Sequence, residues 1–297
     1  MAISIHAWEV FSAVVECKSF AKAAQKLDLS VSTVSHMIVK LEEDCGCTLL
    51  TRNRNSVELT TNGSILYPYA KSLLQCNEAV EQTFSNLRNN TGGIVRIASL
   101  MSPAELWLPH IIHRFHDKYP GINVQLQQTT DAKIQELAEA GDVDLAFCLE
   151  SSSVKTTFFP IHKTPVVCVA PPGYVPENGD RITASDLEGQ PLILQIKGNY
   201  LPTIDFFNQH NITLRSTYHL ESDYVCDTYV NEGFGFLITT QLTLQCDPRQ
   251  LNVFPLYPQS YYTFGLITSH PDYISPAAKL FRNEIFQYMS DEGLMNV

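Results

Sequence analysis

Two short amphipathic stretches between residues 19 and 43 form the clearest hydrophobic pattern in the chain. Each follows a serine, Ser19 or Ser30, whose hydroxyl can accept a hydrogen bond from a first-turn N–H and so cap a helix. In both stretches the apolar residues recur at the spacing of a single helix face. These positions are Phe20, Ala23, Ala24 and Leu27 in the first stretch, and Val34, Ile38 and Leu41 in the second. The pattern predicts two short helices joined by a tight turn.

The second predicted helix carries small hydrogen-bonding side chains on its outward face. Such a pair of helices suits the helix-turn-helix, whose second helix enters the major groove of DNA and reads base edges. The alternative is an ordinary helical hairpin with a solvated polar face. If the helix binds DNA, we expect contacts to bases from Ser32, Thr33, Ser35 and His36, and a contact to a phosphate from Lys40.

A wing and a long helix are predicted next. Residues 49–60 suggest two short strands joined at 53–56, with Arg52 and Arg54 near the tip, placed to contact phosphates or the minor groove. The alternative for these two residues is a pair of solvated loop arginines. An apolar stripe then predicts a long helix from about 62 to 89, in which Pro68 predicts either a kink or a helix start just before it.

Beyond residue 93, strand-like apolar runs alternate with helical patterns. This alternation predicts an α/β domain with a mostly parallel sheet and helices on both faces. The predicted elements are strands at 94–98, 122–127 and 143–147, a helix that starts near Ser102–Pro103 and runs through His116, and a helix at 132–140.

Several motifs around the helical pair resemble those of the LysR-type transcriptional regulators. The family pattern places Leu-Glu, a Gly, Leu-Phe-x-Arg and Leu-Thr-x-x-Gly in that order. The matching residues are Leu41-Glu42, Gly46, Leu49-Leu50-x-Arg52 and Leu59-Thr60-x-x-Gly63, with the pairs Ala23-Ala24 and Val34-Ser35. Three positions depart from the pattern: Leu50 replaces Phe, His36 stands where Arg, Lys or Gln is usual, and Pro68 falls early in the linker helix.

The resemblance extends over the whole chain in length and order, and it implies a domain plan. That plan is a winged helix-turn-helix at 1–61, a linker and dimerisation helix at 62–90, and an effector-binding domain at 91–297. The last would have two α/β lobes like those of periplasmic binding proteins, lobe I at about 91–162 and 267–297 and lobe II at about 163–266. The resemblance also implies a dimer or tetramer that reads a dyad-like site in double-stranded DNA. A small effector would modulate this DNA-binding oligomer, and no cofactor is expected.

Polar residues at predicted strand ends are the candidate effector ligands, because open α/β sheets bind ligands beyond the carboxyl ends of their strands. Hydroxyls at helix starts suit a carboxylate, which Lys197 could pair with and Asn199 could bond, whereas Asp223 could answer an ammonium. The alternative for the polar residues is helix capping alone. The candidate set is Ser99, Ser102, Thr129, Thr130, Lys197, Asn199 and Asp223.

Charge and the chain ends narrow the class of protein. The 297 residues carry a net charge of −11, and residues 1–60 contain six basic and seven acidic side chains. We therefore expect modest DNA affinity that relies on several binding units acting together. No apolar run approaches the roughly 20 residues of a membrane span. The N-terminus has no signal-peptide pattern, so a cytoplasmic protein is expected.

Catalytic and metal motifs are absent from the sequence, so we expect no enzyme activity. His110, His113 and His116 lie three apart on one predicted helix, which favours a surface feature over a metal site. The eight cysteines are expected to be reduced thiols in the cytosol. Two alternatives stay open: a redox-responsive regulator acting through Cys148 or Cys226, and a solute-binding module without DNA function.

Overall fold

The computed structural model describes residues 3–52, 56–87, 92–150, 157–177, 179–195, 201–210, 213, 215–247, 249–268 and 274–297. The chain divides into two compact units. One comprises Met1–Asn90, Glu139–Asp142 and His270–Pro276, and the other Thr91–Ala138, Val143–Ser269 and Ala277–Val297.

The first unit contains short helices, a hairpin and one long helix. Its elements are α1 (Ile5–Cys17), α2 (Phe20–Lys26), α3 (Val31–Cys45), β1 (Leu50–Arg52), β2 (Val57–Leu59) and α4 (Thr61–Leu87). Strands β1 and β2 are antiparallel, with Arg52 opposite Val57. The predicted helix pair, wing and long helix are therefore confirmed.

Local signals set the bounds of the helix pair. Ser19 accepts a hydrogen bond from the N–H of Lys22 at 3.4 Å, and Ser30 accepts one from the N–H of Thr33 at 3.0 Å, so both predicted caps are confirmed. Helix α3 ends at Cys45 and is capped by Gly46, whose left-handed φ of 68° favours glycine. The inward row of α3 is buried in the core of the unit, as predicted, at Val34, Ile38 and Leu41.

The junction between the wing and α4 explains the Leu-Thr-x-x-Gly motif. Thr60 Oγ1 accepts from the N–H of Gly63 at 3.0 Å and donates to the carbonyl of Thr48 at 2.7 Å. A Cβ on Gly63 would lie 2.1 Å from the carbonyl oxygen of Leu49, so only glycine fits there. Helix α4 runs from Thr61 to Leu87 with Pro68 inside it, so the alternative of a helix start just before Pro68 is wrong.

The second unit contains alternating strands and helices. Its elements are β3 (Gly93–Ser99), α5 (Met101–Leu106), α6 (Leu108–Lys118), β4 (Ile122–Gln128), α7 (Asp131–Ala140), β5 (Leu145–Leu149), β6 (Thr157–Ala170), β7 (Ile182–Thr183), α8 (Ala184–Leu187), β8 (Leu192–Gln195), α9 (Leu201–His210), β9 (Ser216–Leu220), α10 (Asp223–Asn231), β10 (Leu237–Thr240), α11 (Gln241–Leu244), β11 (Asn252–Tyr257), β12 (Tyr261–Thr268) and α12 (Pro276–Asp291).

Its main sheet is mixed rather than mostly parallel. Among the described residues the strand order is β4-β3-β5-β12-β6-β11-β7, with β10 also paired to β6, and β8 and β9 form a separate small sheet. Strand β3 is parallel to β4 and β5, but β12 is antiparallel to both β5 and β6. The first part of β6 pairs with β12 and its last part with β10 and β11. The two long strands β6 and β12 therefore run in opposite directions.

The helix predicted to run through His116 is two helices. Pro109 lacks the N–H that a continuous helix would need, so α5 ends at Leu106 and α6 begins at Leu108. Between them Trp107 is buried, with its ring centre 5.8 Å from that of Phe147. The predicted helix start is also corrected, because Ser102 and Pro103 lie inside α5 and the N-cap is Leu100.

Candidate functional site

The outward face of α3 presents the polar side chains that the sequence predicts. Ser30 Oγ lies 2.7 Å from Ser32 Oγ and 2.8 Å from Thr33 Oγ1, so three hydroxyls meet at the first turn. This turn is the part of a recognition helix that approaches base edges. Of the predicted residues, Ser35 is partly exposed and the others are exposed: Ser32, Thr33, His36 and Lys40.

Arg52 of the wing reaches back to α3. Its guanidinium lies 4.1 Å from the centre of the Phe20 ring, and its Nη2 donates to Ser35 Oγ at 3.1 Å. Since that bond uses an acceptor site of the hydroxyl, the hydrogen of Ser35 is left to donate outward. Two predicted DNA contacts, Ser35 and Arg52, are therefore neighbours, while Arg54 lies outside the described residues.

Glu42 fixes the wing to the recognition helix. Its Oε1 accepts hydrogen bonds from the backbone N–H groups of Leu49 at 2.7 Å and Leu50 at 3.0 Å. The Leu-Glu motif therefore joins a core residue, Leu41, to a carboxylate that holds the first strand of the wing.

Positive charge in this unit is unevenly neutralised. The carboxylate of Glu16 accepts hydrogen bonds from the Nζ atoms of Lys26 and Lys71, each at 2.7 Å. Burial would raise the pKa of Glu16, but these two hydrogen bonds outweigh it and lower the pKa to about 2. Among the described residues, Lys22 and Lys40 have no ion-pair partner, so no nearby carboxylate neutralises their charge.

A cavity of about 200 Å³ opens in the second unit. Four of the predicted effector residues line it: Ser102, Thr129, Thr130 and Asp223. Ser99 does not, because it is fully buried and its hydroxyl donates to the carbonyl of Leu100 at 2.8 Å. Lys197 and Asn199 lie outside the described residues.

Hydroxyl groups connect the walls of this cavity. Ser102 Oγ lies 3.4 Å from Thr243 Oγ1, which lies 2.9 Å from Thr240 Oγ1. Ser102 lies inside α5, whose N-cap is Leu100, so it does not cap that helix. Thr130 does both, because it lines the cavity and its Oγ1 accepts from the N–H of Lys133 at 3.4 Å.

Sequence reasoning missed part of the lining. Asp131 is predicted only as part of the cap of the helix at 132–140, yet it lies in the cavity wall, and its carboxylate accepts from the N–H of Leu149 at 3.3 Å and from Gln135 at 3.0 Å. Burial raises the pKa of Asp131. Thr240 and Thr243 were also missed, although hydroxyls where β10 leads into α11 are the same kind of signal that singled out Thr129 and Thr130.

Two family models match the chain. The model described as "Bacterial regulatory helix-turn-helix protein, lysR family" matches residues 5–64, and the one described as "LysR substrate binding domain" matches residues 88–290. The chain belongs to the LysR family of transcriptional regulators. With the helix-turn-helix matched, nothing favours the alternative of a solute-binding module without DNA function.

Known proteins similar to this LysR-type regulator include the RuBisCO operon transcriptional regulator of Allochromatium vinosum, which is 26% identical over 289 residues, 95% of each chain. The fold of this chain is similar to that of a full-length OxyR from Pseudomonas aeruginosa. The TM-score is 0.76 at 16% identity, and the match covers 96% of this chain and 95% of that one. The effector binding domain of QuiR in complex with shikimate is a second neighbour, with a TM-score of 0.60, 20% identity, and coverage of 67% of this chain and 98% of that one.

The described part of the regulator shows neither a metal site nor a membrane-spanning helix. No group of three or more metal-ligating side chains there could hold a metal ion. No helix there is long and apolar enough to cross a membrane. His110, His113 and His116 are all exposed on α6, as expected.

Proposed function

We propose that this LysR-type regulator reads a promoter site through the first turns of α3, and that a small effector in the cavity modulates it. The observation that carries the first part is the polar face of α3, where exposed hydroxyls stand opposite a buried apolar row. In the proposed roles, bases are read by Ser32, Thr33, Ser35 and His36, and phosphates are held by Lys40, Arg52 and Arg54.

Substitution of Ser35 tests the base-reading role. Its hydroxyl is held by Arg52 and directed as a donor, so Ser35→Ala should remove one hydrogen bond to a base. A hydrogen bond is worth about 1 kcal/mol, which predicts roughly a five-fold loss of affinity. Fluorescence anisotropy would compare the upstream DNA of the regulator's own gene with random DNA, and Ser290→Ala on α12 is a matched control. An equal loss on both DNAs would contradict base reading.

A substitution of Lys40 tests the phosphate role separately. Lys40→Ala should weaken binding to cognate and random DNA alike and reduce the salt slope by about one, since one fewer counterion is released. An unchanged salt slope would refute the phosphate contact.

The proposed effector carries a carboxylate. The hydroxyls of Ser102, Thr129 and Thr130 line the cavity and can donate hydrogen bonds to the effector carboxylate. The QuiR structure, which holds shikimate, offers a precedent within the same fold. Lys197 and Asn199 are proposed as further partners of that carboxylate. A thermal-shift screen of small carboxylates on the full chain should find a stabilising ligand whose effect is lost in Ser102→Ala. A hit that survives Ser102→Ala would place the ligand elsewhere.

A second copy of the chain is proposed to cover one face of α4. Large apolar side chains are exposed along this helix, at Ile65, Tyr69, Leu73, Val80 and Phe84. A long helix with such a row is stabilised when another helix buries it. Tyr69→Glu should therefore shift the protein toward monomer in analytical ultracentrifugation, whereas Ser290→Glu should not. A protein whose mass is unaffected by Tyr69→Glu would contradict this interface.

The same proposal places the regulator in the cytoplasm, where it would meet promoter DNA, and gives it no catalytic step. The thiol-based alternative is disfavoured, because Cys148 and Cys226 are buried and burial raises the pKa of both thiols.

A further inference from the structure

The cavity in the second unit has an unusual charge for a site that would take a simple acid. Its described lining includes three acidic side chains, Asp131, Glu221 and Asp223, and no lysine, arginine or histidine. Lys197 lies outside the described residues. An effector that carried only negative charge would therefore meet negative charge on both walls.

Two helices that start at the cavity begin with an aspartate. Helix α7 starts at Asp131 and α10 starts at Asp223, and both aspartates line the cavity. A helix N-terminus normally favours an incoming anion. Here the aspartate at the first position of each helix adds negative charge, which makes both N-termini less favourable to an anion.

A buried hydroxyl also points to a ligand. Thr239 lines the cavity and is only 5% exposed, yet its side chain has no hydrogen-bond partner among the described residues. Its hydroxyl can therefore donate a hydrogen bond to a ligand in the cavity or accept one from it.

We propose that the effector carries an ammonium group, bound by Asp223 and Glu221, in addition to its carboxylate. This inference rests on the proposed effector function of the same cavity. The carboxylate would face the hydroxyls of Ser102, Thr129 and Thr130. The ammonium supplies the positive charge that the described walls lack, and its three N–H donors match the carboxylate acceptors of α10 and the loop before it.

The size of the cavity limits the class further. A volume of about 200 Å³ is below the roughly 300–1,000 Å³ of clefts that hold drug-sized ligands. An effector with both charges in this space is a small amino acid or a compound of that size.

The experiment compares three matched ligand series on the full chain by isothermal titration calorimetry. The probes are the common L-amino acids, the 2-hydroxy acids that replace the ammonium by a hydroxyl, and the amines that lack the carboxylate. Each is titrated into the unsubstituted protein, Asp223→Asn, Glu221→Gln and the control Glu232→Gln. Glu232 is exposed at the C-terminal end of α10 and does not line the cavity.

The expected result is an amino acid that binds at least ten-fold more tightly than its 2-hydroxy acid. Asp223→Asn should weaken that binding by about ten-fold or more, since a charge-assisted hydrogen bond is lost. Glu221→Gln should weaken it less, because Glu221 is exposed, and Glu232→Gln should leave it unchanged.

Two results would overturn the inference. If 2-hydroxy acids bind as tightly as amino acids and Asp223→Asn has no effect, the ammonium site is wrong, but an effector lost in Ser102→Ala still supports the proposed function. If no ligand binds in any series while the protein still binds DNA, both the ammonium site and the effector proposal fail, and only the DNA-binding proposal remains.

Discussion

Glu16 in the first unit and Asp227 in the second are carboxyl groups whose pKa values shift in opposite directions. Glu16 is a partly exposed carboxylate held by Lys26 and Lys71, and its pKa falls to about 2. Asp227 is only 2% exposed. Burial, followed by the charge of the neighbouring Asp247, raises the pKa of Asp227 to about 7.

The difference shows that the neighbouring groups decide the direction in which the pKa of a carboxyl group shifts. Arg249 donates to both oxygens of Asp247 at 2.9 Å and lowers the pKa of that carboxyl. Of the two neighbouring carboxyls, Asp227 is therefore the one that keeps its proton to higher pH. One oxygen of Asp227 has no hydrogen-bond partner among the described residues. The DNA-binding unit thus neutralises its carboxylate with lysines, whereas α10 keeps a buried carboxyl beside other acids.

The largest expected effect is on Asp227. Its pKa is higher in the folded than in the unfolded protein, so the folded state binds an extra proton between about pH 4 and pH 7. The contribution of Asp227 to stability is therefore fully present below that window and should fall by about 2 to 4 kcal/mol as the pH rises through it. Asp227→Asn should remove this fall and make the variant more stable than the unsubstituted protein at pH 8.

Urea unfolding at pH 5 and pH 8 measures this difference. Glu188→Gln, an exposed change in the same unit, is the matched control and should leave the slope intact. If the stability of Asp227→Asn fell with pH as much as that of the unsubstituted protein, a group other than Asp227 would be the cause and the prediction would be wrong.

The second effect has the opposite sign and is smaller. The pKa of Glu16 is lower in the folded protein, so its contribution is present above about pH 4.5 and is lost as the pH falls toward 2. Because Glu16 is partly exposed, solvent screening reduces this contribution to about 1 kcal/mol. Glu16→Gln should lower stability at pH 6 by about that amount and match the unsubstituted protein near pH 2.

Thermal unfolding across pH 2–6 gives the measurement for Glu16. Glu9→Gln is the control, because Glu9 lies in the same helix but pairs only with His6 among the described residues. If both variants lost the same stability, the two lysine contacts of Glu16 would have no special weight.

The two units also differ in how much of their structure could be predicted from the sequence. In the first, the caps at Ser19 and Ser30 and the buried row of α3 depend on residues a few positions apart, so periodicity was sufficient. The signal at Gly63 was equally local, since Thr60 caps the helix that Gly63 lets approach Leu49.

In the second unit the main errors concerned distant partners. Strand β12 pairs with β6 from about a hundred residues away, and no local pattern reports that the pairing is antiparallel. The cavity likewise brings Ser102 to Thr243 across 141 positions. Strand-end hydroxyls predicted several lining residues, but Asp131 was missed because an acid at a helix start has an adequate local explanation as a first-turn residue.

The smallest expected effect, no change at all, is on the cysteines of the second unit. Burial, with the charges of Asp223 and Asp227, raises the pKa of Cys226 to about 12, so at neutral pH only about 0.01% or less of the thiol is the reactive thiolate. Brief peroxide treatment should therefore leave DNA affinity unchanged, and Cys226→Ser should behave the same way. Alkylation followed by mass spectrometry supplies the internal control, because the partly exposed Cys47 should react much faster than Cys148 or Cys226. A peroxide-dependent affinity that reductant restores and Cys226→Ser abolishes would return the redox-responsive alternative, and would show that the acids around α10 do not suppress thiol chemistry.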